Sequence, residues 1–195
     1  MKHLSSIPTL ALAALILSGS PEAVMCQTVA PRVRLGNEVL FEEPQYRKLI
    51  EGKRVGLITN PTGMDSQFVS TIDKLHKNPG TKLTALFAPE HGLRGAQGAG
   101  ESVASGVDPI TRVPVYSLHG TGPDGKPLRK PLPQWLEKVD VLVYDIQDIG
   151  NRSYTYVGTM ELCMEAAREK GIPFVVLDRP NPMGGDFVDG NIQIG

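Results

Sequence analysis

The run from Val139 to Tyr156 constrains the fold more than any other part of the chain. Its first half, Val139-Asp140-Val141-Leu142-Val143-Tyr144, is short, almost continuously apolar and rich in Val. Such a run suits a strand buried on both faces of a parallel sheet better than the alternating pattern of a half-exposed strand. It stops at Asp145 and gives way to Asp148, Gly150, Arg152, Tyr154 and Tyr156 before a helical pattern begins. In an open α/β sheet, ligands bind in the crevice beyond the carboxyl ends of the strands. Polar chemistry is therefore concentrated where such a fold keeps its site.

The same rhythm recurs along the chain. Glu42-Glu43-Pro44 reads as the first turn of a helix that follows a polar leader, carries Tyr46, Leu49 and Ile50, and stops at Gly52. Residues 54–59 read as a strand, with Asn60-Pro61-Thr62-Gly63 as the loop at its carboxyl end. Val69, Ile72 and Leu75 then fall on one face of a helix that Asn78-Pro79-Gly80 ends. A second strand, residues 83–87, runs into Ala88-Pro89-Glu90-His91-Gly92, and the five glycines between Gly92 and Gly106 predict a long loop over the sheet edge. Residues 113–118 form a third strand near an edge, because Pro114 cannot donate to a ladder.

Residues 121–133 hold four prolines and read as a surface loop, and Trp135 opens a helical turn. Val157, Met160, Met164 and Ala167 recur at helical spacing, and Arg168 and Lys170 before Gly171 suit a helix C-terminus. A last strand, residues 174–177, meets Asp178-Arg179-Pro180-Asn181-Pro182. Strands alternating with helices predict an α/β fold with a doubly wound, mainly parallel sheet. One rim would then carry Asn60, Glu90 with His91, His119, Asp145 with Asp148, and Asp178 with Arg179 and Asn181.

Composition narrows the function classes. The chain has 195 residues, enough for one domain with a sizeable core. Lys and Arg number 20 against 21 Asp and Glu, a net charge of -1, so no overall positive field exists to hold a nucleic-acid backbone. Lys2 and His3 precede an apolar stretch from Leu10 to Leu17, too short to span a bilayer but suited to the core of a signal peptide. Residues 1–26 are thus expected to be a signal, and 27–195 an exported domain, periplasmic or secreted. A secretory signal ending at Cys26 is preferred to a lipoprotein site, whose small residue would be replaced by Met25. Loss of Cys26 would leave Cys163 alone, read as a small core hydrophobe on a helix.

Each polar group has a bland reading beside the functional one. Glu90 reads equally as the cap of a turn and His91 as a tie to the loop, as loop carboxylates often serve only the backbone. Asp145 and Asp148 with Glu90 and a His offer oxygen and nitrogen ligands, but no metal-ligand spacing appears, so no metal is expected. Gly95-Ala96-Gln97-Gly98-Ala99-Gly100 lacks the dinucleotide glycine order, and no Gly-Lys-Ser/Thr phosphate loop is present. Tyr154 and Tyr156 read either as core aromatics at a helix start or as ligand contacts. Arg152 and Arg179 read either as ligand contacts or as partners of nearby acids.

Several long motifs, taken together and in order, resemble those of the bacterial exo-β-N-acetylmuramidases, a family first catalogued as a domain of unknown function. They are Leu57-Ile58-Thr59-Asn60-Pro61-Thr62-Gly63, Phe87-Ala88-Pro89-Glu90-His91-Gly92-Leu93-Arg94-Gly95, Pro114-Val115-Tyr116-Ser117-Leu118, the stretch from Tyr144 to Tyr156, and Leu177-Asp178-Arg179-Pro180-Asn181-Pro182-Met183-Gly184-Gly185. The resemblance runs from about Gly52 onward. It implies a Rossmann-like domain, a second smaller C-terminal domain not present in this sequence, and release of non-reducing terminal N-acetylmuramic acid from peptidoglycan fragments without a cofactor. Muramyl saccharides would be the ligands. The expectation is that the chain is the N-terminal part of a longer enzyme.

Glycoside hydrolysis needs a protonated acid near the leaving oxygen and usually a second carboxylate as base or nucleophile. The candidates are Glu90 as general acid, His91 as its proton partner, and Asp145 or Asp148 as the second group. Muramic acid differs from glucosamine by a lactyl carboxylate, which calls for an Arg fork. Arg152 is the first candidate, flanked by Tyr154 and Tyr156, with Arg179 as the alternative, held by Asp178. Asn60, Asp178 and Asn181 complete the expected binding rim. The reading from another class is a non-catalytic module that binds sugars or muropeptides of the exported cell-wall machinery.

Overall fold

The computed structural model describes residues 32–123 and 125–191. The expected signal segment, with Cys26, lies outside the described residues. The first central strand, β1 (Arg54–Thr59), is buried from Val55 onward, as an uninterrupted apolar run requires when helices cover both faces of a sheet. It pairs in parallel with β2 (Lys82–Ala88) on one side and with β7 (Val141–Asp145) on the other. Beyond β2 lies the parallel β4 (Pro114–Ser117), and beyond β7 the parallel β8 (Phe174–Val176). A two-residue strand, β3 (Gly106–Val107), closes the β4 edge antiparallel, opposite Pro114.

The sheet order is β3-β4-β2-β1-β7-β8. Its parallel strands therefore run third, second, first, fourth, fifth in chain order, the Rossmann arrangement, as expected. The order reverses between β1 and β7. Thr59 lies opposite Asp145, so these two strands end flush at the switch point. All the parallel strands deliver their carboxyl ends to that rim.

Strand alternation feeds two cores. Val55, Leu57, Val141 and Val143 pack with Leu40 of α1 (Gly36–Glu42) and with Ile72 and Leu75 of α3 (Thr71–Lys77). Ile58, Phe87, Leu142 and Tyr144 pack on the opposite face with Leu136 of a 3-10 turn (Pro133–Leu136) and with Cys163, Ala166 and Ala167 of α4 (Tyr156–Lys170). Cys163 is fully buried, and burial pushes its thiol up to about 12. It is a core side chain, as its sequence context implies.

Four local expectations change. The polar leader contains α1, whose start is fixed by the Glu38 carboxylate accepting from Leu35 N–H and by Gly36 N–H donating to the Asp178 carbonyl at 2.8 Å. The helix expected from Glu42 onward is the short α2 (Pro44–Arg47), with Glu43 as its N-cap. Ile50 is buried, whereas Tyr46 and Leu49 are exposed. In α4 the buried side is Tyr156, Cys163, Ala166 and Ala167, while Val157 and Met164 face out. Small side chains let the helix approach the sheet, and the larger apolar residues mislead. Within the proline-rich segment, β5 (Gly120–Thr121) and β6 (Pro127–Leu128) form a small hairpin.

Gly63 shows how tightly the switch point is packed. A Cβ there would sit 2.0 Å from Thr59 Oγ1 and 2.9 Å from the Asp145 carbonyl oxygen, which the Thr59 hydroxyl already reaches at 2.8 Å. Overpacking a close contact costs about 1–3 kcal/mol. Gly63→Ala should therefore lower the unfolding free energy by that amount, read as a lower urea midpoint; an unchanged midpoint would mean the loop relaxes freely.

Candidate active site

The rim has a buried foundation and an open cavity. The foundation is Asp145, fully buried, whose Oδ1 accepts from Arg179 Nε at 2.7 Å and whose Oδ2 accepts from the Thr71 hydroxyl. Arg179 also donates to the Met64 carbonyl at 2.9 Å, and its side chain is only 6% exposed. Thr71 Oγ1 in turn accepts from Asn37 Nδ2 at 2.9 Å. These groups bind one another, and none of them lines the rim cavity. The partner of Arg179 is Asp145; Asp178 Oδ1 merely accepts the Arg179 backbone N–H at 2.9 Å.

The neighbouring expected residues serve loops. Asp148 Oδ1 accepts from Gly150 N–H at 2.7 Å, and its Oδ2 is buried without a hydrogen-bond partner. Asn181 closes a turn through the Gly184 carbonyl and Met183 N–H. Asn60 is buried and its Oδ1 accepts from Thr62 N–H at 2.9 Å. His91 has φ of +68°, a conformation His tolerates better than most residues, and its Nδ1 lies 3.0 Å from the Gln97 carbonyl. Because that carbonyl can only accept, Nδ1 carries the proton there. His91 thus ties down the Gly-rich loop.

Glu90, Arg152 and Tyr154 do come together. They line a cavity of about 310 Å³ with His119, Arg129, Ser153, Thr155 and the first turn of α4. Glu90 follows β2, whereas Arg152 to Thr155 lead from β7 into α4. The strand-end rule thus joins residues far apart in sequence. Glu90 Oε1 accepts from Gly100 N–H at 3.0 Å, and Oε2 accepts from the Thr155 hydroxyl at 2.9 Å. The Gly100 amide first, then Thr155, hold the carboxyl below its ordinary range; partial burial opposes them, and His119 and His91 add a little. The resting chain therefore carries Glu90 ionised at neutral pH, whereas a resting general acid needs its pKa raised.

Tyr156 is buried beneath the cavity, with its hydroxyl 3.4 Å from the Glu90 carbonyl and its ring edge-on to Tyr154 at 4.8 Å. Of the two tyrosines, only Tyr154 lines the cavity. Arg152 is exposed and donates to the Asn191 carbonyl. Arg129 and Thr155 escape sequence reasoning. The one cue to Arg129 is its place after the hairpin that begins next to His119, at the end of a strand.

A Rossmann-type sheet with a carboxylate and arginines in a cavity at its carboxyl rim defines an α/β domain with a polar cavity at its strand ends. Comparison with known sequences then assigns the lineage: the chain belongs to the family described as exo-beta-N-acetylmuramidase NamZ, N-terminal, which matches residues 55–194. It is 50% identical over 175 residues to the peptidoglycan beta-N-acetylmuramidase NamZ of Bacillus subtilis strain 168, a match covering 90% of this chain and 40% of that protein. The chain thus spans well under half of that relative's length. It also resembles two solved DUF1343 family proteins of Bacteroides fragilis NCTC 9343. One has 54% identity and a TM-score of 0.69 over 83% of this chain and 39% of the other. The second has 34% identity and a TM-score of 0.61 over 78% and 36%.

The two arginines first considered for ligand contact should separate in stability. Arg179→Met leaves a buried carboxylate without its cation, at about 3–5 kcal/mol. Arg152→Met, at an exposed position, should stay within about 0.5 kcal/mol. Similar losses in denaturant unfolding of both variants would contradict the two-level rim.

Proposed function

We propose that the chain carries one catalytic carboxylate, Glu90, of an exo-acting glycosidase that releases terminal N-acetylmuramic acid from peptidoglycan fragments. One observation carries this reading: Glu90 is the only carboxylate among the residues lining the rim cavity, and it shares that cavity with arginines and a half-exposed tyrosine. The muramidase relative acts on peptidoglycan by name, which supports the same substrate class here.

The two roles open to Glu90 make different demands. As a base, or as negative charge facing an oxocarbenium-like centre, it works in the ionised form it already has. As the general acid it must first gain a proton, which an incoming sugar favours if it displaces Gly100 or Thr155 from the carboxyl oxygens. We place its catalytic partner, whether water-activating or proton-donating, in the part of the family's sequence that this chain does not span.

In a protein that carries the family's downstream region, Glu90→Gln should cut turnover about 100- to 10,000-fold. An acid role predicts that a nitrophenyl leaving group, which needs no protonation, restores most of the rate; a base role predicts equal loss on both substrates. Thr155→Val removes a donor from the charged carboxylate, so it should raise the Glu90 pKa: a base role predicts that the acidic limb of the pH–rate profile moves to higher pH, and an acid role that the basic limb does. Near-normal turnover of a folded Glu90→Gln protein would remove the residue from catalysis.

A further inference from the structure

The cavity beside Glu90 holds more positive charge than it uses. Its lining contains Arg129 and Arg152 against the single carboxylate Glu90, whose oxygens are already engaged by Gly100 and Thr155. Arg34, Arg54, Lys74, Arg94, Lys130 and Arg179 all pair with carboxylates. Arg152 donates only to a backbone carbonyl, and Arg129 has no hydrogen-bond or ion-pair partner among the described residues.

Arg129 is free only at its side chain. Its backbone follows the β5–β6 hairpin, paired through Gly120 with Leu128 and Thr121 with Pro127. The next residue, Lys130, is pinned to Glu169 at 2.9 Å and to Glu165 at 3.4 Å on α4. The chain is therefore anchored on both sides of a guanidinium that lines the cavity. The first turn of α4 adds to the field there. Thr155, its N-cap, gives its hydroxyl to Glu90 and makes no side-chain cap, so the helix's own positive end lacks that neutralising partner.

We propose that Arg129 and Arg152 together grip the lactyl carboxylate of a muramyl sugar, with Arg129 the specificity-determining residue; this rests on the muramidase reading of the Glu90 cavity. A planar guanidinium meets a carboxylate with two parallel hydrogen bonds, which a neutral amide cannot accept in the same way. The pair thus distinguishes muramic acid from glucosamine, and a free lactyl acid from its amide.

The test titrates the 195-residue chain with N-acetylmuramic acid, its lactyl carboxamide, N-acetylglucosamine and D-lactate, following the amide resonances of Glu90, Thr155 and Gly158. The acid should bind about 10- to 100-fold tighter than the carboxamide or N-acetylglucosamine. Arg129→Met should erase that gap while the fold, checked by circular dichroism, is kept; Arg129→Lys, with charge but no fork, should retain part of it. Equal binding of acid and carboxamide, a gap that survives Arg129→Met, or no response at these amides overturns the proposal. A response to D-lactate as strong as to the sugar makes the pair a general anion site and also overturns it. Sugar release is measured separately on a protein that carries the family's downstream region: a carboxylate preference without release would defeat the hydrolase reading and leave the grip standing.

Discussion

The buried ion pair between Asp145 and Arg179 is the interaction on which the whole carboxyl rim depends. A charge removed from water costs several kcal/mol unless its partner and hydrogen bonds are well placed. Here Asp145 has the Arg179 Nε at 2.7 Å and the Thr71 hydroxyl on its other oxygen. Because Asp145 ends β7 opposite Thr59 of β1, the pair sits at the point where strand order reverses. Arg179 extends the constraint to the Met64 carbonyl, and Thr71 extends it to Asn37 of α1. The loops after β1, β7 and β8 are thereby fixed to one another before any ligand arrives.

Above that foundation, the groups facing the cavity are held by their neighbours and left open at their tips. Glu90 is aimed by a loop amide and by a hydroxyl diverted from capping α4. His91 secures the Gly-rich loop that supplies the amide. The contrast between the levels separates two acids on one rim: full burial with an arginine locks Asp145 into the fold, whereas partial exposure and two neutral donors leave Glu90 an anion that lines the cavity.

The sheet was legible because continuous β-branched and apolar runs with polar strand ends leave few other options, and β1 spans residues 54–59 as its pattern implies. The α1 helix was hidden because its support is tertiary: the Asp178 carbonyl and Thr71 hold residues whose own pattern is weak. The face of α4 was misread because close packing on a sheet favours Cys163 and Ala166 over the larger Met164. Strand ends correctly gathered the polar residues on one rim, but sequence carries no depth. Asp145 and Glu90 look alike as strand-end acids, and only the folded chain separates the locked one from the open one. Arg129 lies in a proline-rich segment whose hairpin is set by two short rungs, too little signal to read in advance.

The most direct measurement is a crystal structure of the protein soaked with N-acetylmuramic acid. The account predicts the sugar in the cavity lined by Glu90, Arg129 and Arg152, its ring against Tyr154 and its anomeric end within hydrogen-bond reach of Glu90, with the Asp145–Arg179 pair unchanged beneath it. A sugar bound instead in the apolar groove of about 570 Å³ beside Tyr46, Leu49 and Val176, with the Glu90 cavity empty, would contradict it.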